Sequence, residues 1–532
     1  MKSRFTWVPV LMALAAVAGV FLGRLSYSGG MLGSGSRESF IVEKPVPSKI
    51  QNIVNLINDY YVDSVNVDTL VEKVIPNLLE QLDPHSVYIP AKDFDHVAGE
   101  LKSNFGGIGV MFSILNDTVN IVSVVAGGPS SLLGVLPGDK IIRVEGESFV
   151  GAKIDNDYVM DHLRGTIGTT VDVTILRGSS EIEFTIERGL IPMYSVEVSY
   201  KITPSIGYMK IDRFAEQTYQ EMLQGIAKLK AEGCNSLIID LRSNSGGYLN
   251  VVTDMCNEFL DDKDLIVYTE GVHQPREDAF ANGKGSCKDI KVAVLIDEYS
   301  ASASEIFAGA IQDNDRGIII GRRSFGKGLV QSQIPLEDKS AVRLTVARYH
   351  TPSGRCIQRP YDDGVENYYD DTYNRFNSGE LFEADSVKFD ESQIFYTRGG
   401  RKVYGGGGIM PDIFVPRDTT KASKYLYQLR AKSIIYNYSV DYCNQHRAEL
   451  SKFDTENLIK YLKQKTLLPE LISYATSKGL KPVSISKEER QLIENELKAY
   501  IGRNIKDNEA FYPILNEGDI AIERAVEALN KQ

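Results

Sequence analysis

Two residues of this 532-residue chain, Ser302 and Lys327, have settings that point to chemistry. Lys327 stands in Arg323-Ser324-Phe325-Gly326-Lys327-Gly328-Leu329-Val330, between two glycines and among apolar side chains. Twenty-five residues earlier, Ser302 stands in the small-residue run Ser300-Ala301-Ser302-Ala303-Ser304-Glu305. Burial disfavours an ammonium, so this lysine is expected to lose its proton more readily than a solvated one. Once neutral, it can take a serine proton and return it to a leaving amine. Gln331 is four residues on, facing the same side of an extended chain, where it would orient the amine. Each residue also has a plainer explanation. Ser302 to Glu305 is an S-x-x-E helix cap, Lys327 alone is a solvated loop residue, and Gln331 alone is a surface strand residue. The pairing of Ser302 with Lys327 is what raises a Ser-Lys nucleophile above these.

Other chemistries fit less well. Gly321 to Lys327 matches the start of a phosphate loop, G-x-x-x-x-G-K, but Gly328 stands where Ser or Thr must hold magnesium. The next residues, Leu329 to Ile334, read as a strand rather than a helix. Of six histidines, His273 and His350 fall in the same region, and neither lies in a glycine-rich or acidic motif that would make it a base. There is no H-E-x-x-H, and no cysteine pair has a C-x-x-C spacing, so neither a zinc site nor any other cofactor is expected. A partner for a developing oxyanion does exist. Asp240-Leu241-Arg242-Ser243-Asn244-Ser245-Gly246-Gly247 follows an apolar strand and precedes a helix. Paired glycines there let the backbone approach an anion closely, although they also suit a plain tight turn.

The elements that must position these groups alternate. Strands are expected at 206–211, 237–241, 292–296, 317–320 and 342–349, with helices at 217–230, 249–260 and 303–312. This is the pattern of an α/β domain with a central sheet. Ser302 then falls at a strand-to-helix turn, with the following N–H groups aimed at any anion formed on it. Upstream, residues 105–190 form short strands at 109–115, 119–125, 140–144, 171–176 and 181–186, with helical pieces near 130–133 and 155–164. Residues 49–83 show helical spacing, stopped by Asp83-Pro84-His85, within a small helical N-terminal region at 49–104. Residues 358–404, rich in Tyr and Asp, read as an insertion with some β content. The chain beyond 418 is helical to its end.

The net charge of −12 excludes a dedicated nucleic-acid binder, whose phosphate contacts need a basic surface. Lys2 and Arg4 precede an apolar stretch from Trp7 to Leu22, with no A-x-A site after it. This predicts export, with residues 1–25 as a signal-anchor in preference to a cleaved signal peptide, and 26–48 as a Ser/Gly-rich tether.

The motifs together resemble the C-terminal processing (tail-specific) serine protease family. The resemblance rests on Leu82-Asp83-Pro84-His85-Ser86, on Asp240 to Gly247, and on Ser300 to Glu305. It also rests on Phe325-Gly326-Lys327-Gly328 with Gln331, on Tyr349-His350-Thr351-Pro352-Ser353-Gly354-Arg355, and on Gly408-Ile409-Met410-Pro411-Asp412-Ile413. It implies a serine endopeptidase with Ser302 as nucleophile, Lys327 as base and Gln331 positioning the lysine. The Ala303 N–H and the Gly246-Gly247 backbone would form the oxyanion hole, with the donating glycine left open. Ser300 and Ser304 are then small-residue and capping positions. The implied fold is multidomain α/β, a Clp/crotonase-like catalytic core at 191–418 with an inserted-type PDZ domain at 105–190 and helical terminal regions at 49–104 and 419–532.

Phe105-Gly106-Gly107-Ile108-Gly109-Val110 and Gly134-Val135-Leu136-Pro137-Gly138-Asp139 carry the PDZ resemblance. Such a domain adds an apolar C-terminal tail as a strand, its carboxylate held by the backbone at Gly107, Ile108, Gly109 and Val110. Arg164 is a candidate for gating. The insertion either lines the substrate channel or extends the surface, and the C-terminal helices would serve a homodimer or an adaptor protein. The expected setting is the periplasmic side of a bacterial-type inner membrane, with the chain anchored there or released. Two other classes are weaker. An inactive PDZ adaptor is opposed by the presence of both Ser302 and Lys327, and an acyl-CoA enzyme by the pairing of the two motifs.

Overall fold

The structure is a computed structural model that describes residues 49–94, 104–115, 117–125, 127–151, 153–387, 390–417 and 423–531. The expected signal-anchor and tether lie outside the described residues. No helix among the described residues is long and apolar enough to cross a membrane. The described residues up to Val71 and those from Glu72 onward form two compact units. In the first, the helix Lys49–Tyr60 buries no residue.

In the second unit, a six-stranded sheet runs in the order Val196–Lys201, Ile206–Ile211, Ser236–Asp240, Lys291–Ile296, Ile318–Gly321, Ile413–Phe414. Its first pair is antiparallel and the rest are parallel. Parallel strands are buried on both faces, and this is why Ser236–Asp240 and Lys291–Ile296 read as continuous apolar runs. Met209, Leu237, Ile239, Val292 and Val294 face the helices Thr218–Ala231, Leu249–Asn257 and Ala303–Asp313. The alternate residues Tyr208, Ile238, Ala293, Leu295 and Ile320 face Ala521, Ile522, Ala525 and Leu529 of the helix Ile520–Lys531. The last helix of the chain is therefore a layer of the α/β core.

A second sheet joins Val87–Ile89, Ala341–His350, Leu265–Gly271 and Gln274–Phe280, with Leu329–Pro335 also paired to Ala341–His350. The hairpin of Leu265–Gly271 with Gln274–Phe280 is absent from the expected elements. Its second strand, Gln-Pro-Arg-Glu-Asp-Ala-Phe, lies at the sheet edge and is mostly exposed, so its sequence carries little hydrophobic alternation.

The β-rich module has the five-stranded order Val110–Leu115, Thr118–Val124, Lys140–Val144, Thr170–Arg177, Ser180–Glu187, with a short strand at Glu147–Ser148. Val119, Ile121, Ile141, Val171, Val173, Ile175 and Ile186 form its core.

The insertion is chiefly a helix, Val365–Asn377, followed by a hairpin of Ile394–Tyr396 with Lys402–Tyr404. Its periodicity escaped hydropathy because its buried residues are Tyr368 and Arg375, one polar-tipped and one charged. They are seven residues apart and so share a face.

Helices at Lys424–Ala431, Ile434–Leu450, Thr455–Gln464, Leu468–Ser477 and Lys487–Leu515 build a bundle with its own core. The Pro137-Gly138-Asp139 turn of the β-rich module sits on this bundle. A Cβ added to Gly138 would lie 2.6 Å from Val440 Cγ1, and Arg447 Nη2 donates to the Pro137 carbonyl at 3.2 Å.

Candidate active site

Ser302 occupies the turn between the strand Lys291–Ile296 and the helix Ala303–Asp313, with φ 54° and ψ −114°. A positive φ is rare for a residue with a Cβ, so the turn is held by its surroundings. Ala301 N–H donates to the Asn244 carbonyl at 3.0 Å. Ser304 Oγ donates to the same carbonyl at 2.9 Å, and Ser300 Oγ to the Leu241 carbonyl at 2.8 Å. Ser300 and Ser304 thus do more than fill small positions, because they tie the serine turn to the glycine loop.

That loop presses directly on Ser302. A Cβ at Gly246 would lie 2.8 Å from Ser302 Cβ, 2.8 Å from the Ala301 carbonyl oxygen and 3.0 Å from Ala303 N. Gly246 also has φ +106°, a region that favours glycine. Gly246 N–H donates to Asn244 Oδ1 at 2.9 Å. The N–H groups of Gly247 and Ala303 have no acceptor among the described residues. Gly246→Ala is expected to lower kcat/KM by about tenfold or more, through overpacking of roughly 1–3 kcal/mol at the serine turn. Peptidase kinetics beside a thermal melt checks this.

Glu305 joins the serine turn to the lysine loop. Its side chain is fully buried. Oε2 accepts the N–H groups of Ser302 and Lys327, each at 2.9 Å. Oε1 accepts Gly326 N–H at 2.7 Å and Ser324 Oγ–H at 2.5 Å. The sequence pattern assigns this glutamate to a helix cap, which accounts for the Ser302 N–H, and only the fold shows its other three partners, Ser324, Gly326 and Lys327. Tyr349 Oη adds a further link, 3.2 Å from the Ser302 carbonyl and 2.6 Å from that of Lys327.

Lys327 Nζ donates to Gln331 Oε1 at 3.0 Å. Among the described residues no hydrogen bond joins Lys327 Nζ to Ser302 Oγ. Gln331 Nε2 in turn donates to the His85 carbonyl. His85 Nε2 is 2.9 Å from Tyr368 Oη, and Tyr369 Oη donates to the Pro84 carbonyl at 2.7 Å. The insertion helix thereby braces the Asp83-Pro84-His85-Ser86 turn behind Gln331. The helix also holds the lysine loop, since Arg375 donates to the Ser324 carbonyl at 3.0 Å and the Arg323 carbonyl at 2.6 Å. Arg359 lies between the Phe325 and Tyr368 rings, 3.9 Å from each centroid. Sequence reading placed His85 and Tyr349 in motifs without a task and passed over Tyr368 and Arg375, which no local pattern marks.

The site's charges are strongly perturbed. Burial, reinforced by the Arg343 charge, pulls the Lys327 ammonium below its usual range, while Glu305 and Asp83 oppose this. Burial pushes Glu305 up to about 7 despite its four hydrogen bonds. Burial and the Lys327 charge push His85 down to about 4, so its ring is neutral near pH 7. Perturbed groups gathered at one place are a mark of functional sites.

A small cavity of about 50 Å³ in the β-rich module is lined by Phe105, Ile108, Gly109, Val110, Phe112, Met160, Leu163 and Arg164. Gly107 borders it, since a Cβ there would lie 2.9 Å from the Phe105 ring. The Arg164 guanidinium stacks 4.3 Å above the Phe105 centroid. The Ile108 and Gly109 N–H groups have no acceptor among the described residues.

Residues 205–368 match peptidase family S41, residues 106–187 match the PDZ domain, and residues 425–507 match a family of unknown function (DUF8443). The carboxy-terminal-processing protease of Bartonella bacilliformis is 35% identical over 318 residues, covering 58% of this chain and 72% of that protein. A "Probable CtpA-like serine protease" of Staphylococcus haemolyticus is 34% identical over 317 residues, covering 59% of this chain and 63% of that one. The solved photosystem II D1 C-terminal processing protease aligns with a TM-score of 0.35 at 22% identity, over 69% of this chain and 92% of that chain. From the peptidase family S41 and PDZ matches and the Bartonella bacilliformis relative, the chain is a member of the carboxy-terminal-processing protease family of serine peptidases, and it carries a PDZ domain.

Proposed function

We propose that Ser302 and Lys327 are the catalytic nucleophile and base of an endopeptidase that cuts exported proteins near their C-termini. The observation that carries this reading is the Glu305 clamp. One buried carboxylate accepts N–H groups from the serine turn and from the lysine loop, so the two candidate residues are held in register. In the resting arrangement Lys327 Nζ lies on Gln331. Catalytic hydrogen bonds are often loose without substrate and tighten in the Michaelis complex, so the amine turns from Gln331 to Ser302 when a peptide binds. Neutral Lys327 takes the Ser302 Oγ proton as Oγ attacks the scissile carbonyl. The carbonyl oxygen becomes an oxyanion, received by the Ala303 N–H and by the Gly247 N–H, because Gly246 N–H is already committed to Asn244. The Lys327 ammonium then protonates the leaving amine. A water molecule, deprotonated by Lys327, opens the acyl-enzyme in a second round.

The PDZ domain captures the substrate's C-terminal tail, its carboxylate received by the free N–H groups at Ile108 and Gly109 and its apolar side chains by the groove at Phe105, Val110 and Phe112. Arg164, stacked across this groove on Phe105, is placed to move when a tail enters. The basic-apolar N-terminus supports export, with attachment to the membrane until or unless it is cleaved. A homodimer or an adaptor remains the proposed use of the helical C-terminal bundle.

Full-length protein is to be given two reporters that differ only in a free or an amidated apolar C-terminus. The free acid should be cut with a KM about tenfold lower, the scale of a charge-assisted hydrogen-bond set. Equal KM values would overturn tail capture, and unchanged cleavage by Ser302→Ala would overturn the nucleophile.

A further inference from the structure

The strand Ser236–Asp240 ends at the buried Asp240, which shares a sheet face with Ile238 and therefore points toward the C-terminal helix Ile520–Lys531. Tyr208 and Lys210 share that face on the neighbouring strand. Asp240 accepts Tyr208 Oη–H at 2.7 Å, Arg242 N–H at 2.9 Å, and the Arg242 guanidinium through Nε at 3.0 Å and Nη2 at 2.6 Å. Burial works against the Asp240 charge, but Arg242 and Lys210 together hold its carboxyl below the usual range. The other arm of the guanidinium, Nη1, donates to Asp519 Oδ2 at 2.8 Å. Asp519 is also the cap of the last helix, because its Oδ1 accepts Ala521 N–H at 2.9 Å and Ile522 N–H at 3.1 Å. Asn516, three residues before it, donates to Tyr200 Oη at 3.0 Å and pins the same turn to the sheet.

Arg242 is the first residue of the glycine loop. Its backbone sets the direction in which Ser243, Asn244 and Gly246-Gly247 leave the strand. Ser243 has φ 59°, an unfavourable value for serine that needs support from both sides. On the downstream side, Asn244 receives Ala301 and Ser304 and orients Gly246. Asp297 Oδ1 accepts Ser243 N–H at 2.8 Å. On the upstream side, Lys210 Nζ donates to the Arg242 carbonyl, while the Arg242 side chain is gripped between the carboxylate at the strand end and the one that caps the last helix.

We infer that Asp519 is a positioning residue for peptide cleavage: through Arg242 it fixes the departure of the glycine loop that receives the oxyanion. This rests on the proposed roles of Ser302, Ala303 and Gly247. It makes the far C-terminus, remote in sequence from every motif, a part of the catalytic apparatus.

The test separates the ion pair from the helix cap. Asparagine caps a helix about as well as aspartate but lacks the charge. Full-length wild type, Ser302→Ala, Asp519→Asn and Asp519→Glu are compared for kcat, KM and melting temperature on one tailed peptide. Asp519→Asn should melt like the wild type, keep its KM within about twofold, and lose about tenfold in kcat, the effect of weakening one charge-assisted bond. Asp519→Glu, which keeps the charge, should recover most of the loss. If Asp519→Asn fails to fold, Asp519→Ser, a cap without charge, carries the same comparison. Wild-type kcat in a folded uncharged variant, or no recovery with glutamate, overturns the role of Asp519. Cleavage by Ser302→Ala at the wild-type rate overturns instead the underlying assignment of the nucleophile.

Discussion

Lys327→Met should abolish peptide cleavage while leaving the protein as stable as the wild type or more so. General-base catalysis is worth about 10²–10⁴-fold, and here the same amine must also serve as the acid, so a loss of about 10³-fold or more in kcat/KM is expected. Ser302→Ala should fall as far, and the double variant no further, because the two act as one unit. The stability outcome follows from the lowered lysine pKa. The unfolded chain binds this proton more tightly than the folded one, so at pH values below the folded pKa the buried ammonium destabilises the fold by its full amount. Stability from this group rises as pH climbs from the folded pKa toward 10.5. Replacing the amine by an apolar side chain of similar length removes that burden. Wild-type activity should also rise with pH as Lys327 loses its proton. A melting temperature several degrees below wild type in Lys327→Met, or a flat pH–rate profile, would count against a buried lysine base.

Glu305→Gln should lower kcat/KM by about 10–100-fold with a folded protein. Each carboxylate oxygen accepts two donors, and an amide keeps only one such oxygen. Whichever way the amide is turned, two donors then face an NH₂ group, and an unsatisfied buried donor costs about 1–3 kcal/mol. With Oε1 retained, the broken pair is the one that includes Ser302 N–H and Lys327 N–H. The substitution should also change the pH dependence of stability. Glu305 titrates near 7 in the fold and at 4.5 ordinarily, so the folded state holds the proton between these values. The stability from this group is fully present below about 4.5 and is lost as pH rises through about 7. Melting curves across that window should fall less steeply in the variant than in the wild type. An unchanged slope, together with wild-type kinetics, would show that the clamp is idle.

Much of this site is legible in the sequence because its chemistry sits at element boundaries. The Ser302 turn, the Gly246-Gly247 loop and the Lys327 loop each end or begin an apolar run, and glycine or small residues mark each place where a backbone must bend. The α/β alternation is legible for the same reason, since buried parallel strands and amphipathic helices carry their periods openly. The insertion was the least legible. Its helix buries Tyr368 and Arg375, whose roles come from partners at His85, Arg323 and Ser324, and no hydropathy window registers a residue buried for its hydrogen bonds.

The amino-acid sequence by itself determined which side chains could act as nucleophile, base and anion receptor, because those roles depend on residue type and local turn chemistry. It also determined the order of the domains. The tertiary structure alone decided that one buried carboxylate, Glu305, holds the serine turn and the lysine loop together, and that Gly246 spends its N–H on Asn244 while Gly247 does not. It alone decided that Asp519 reaches Arg242 from 277 residues away. These are long-range pairings of groups that look ordinary in their own neighbourhoods. They exist because both faces of the sheet must be covered, and covering the second face brings the end of the chain back to the loop beside Ser302.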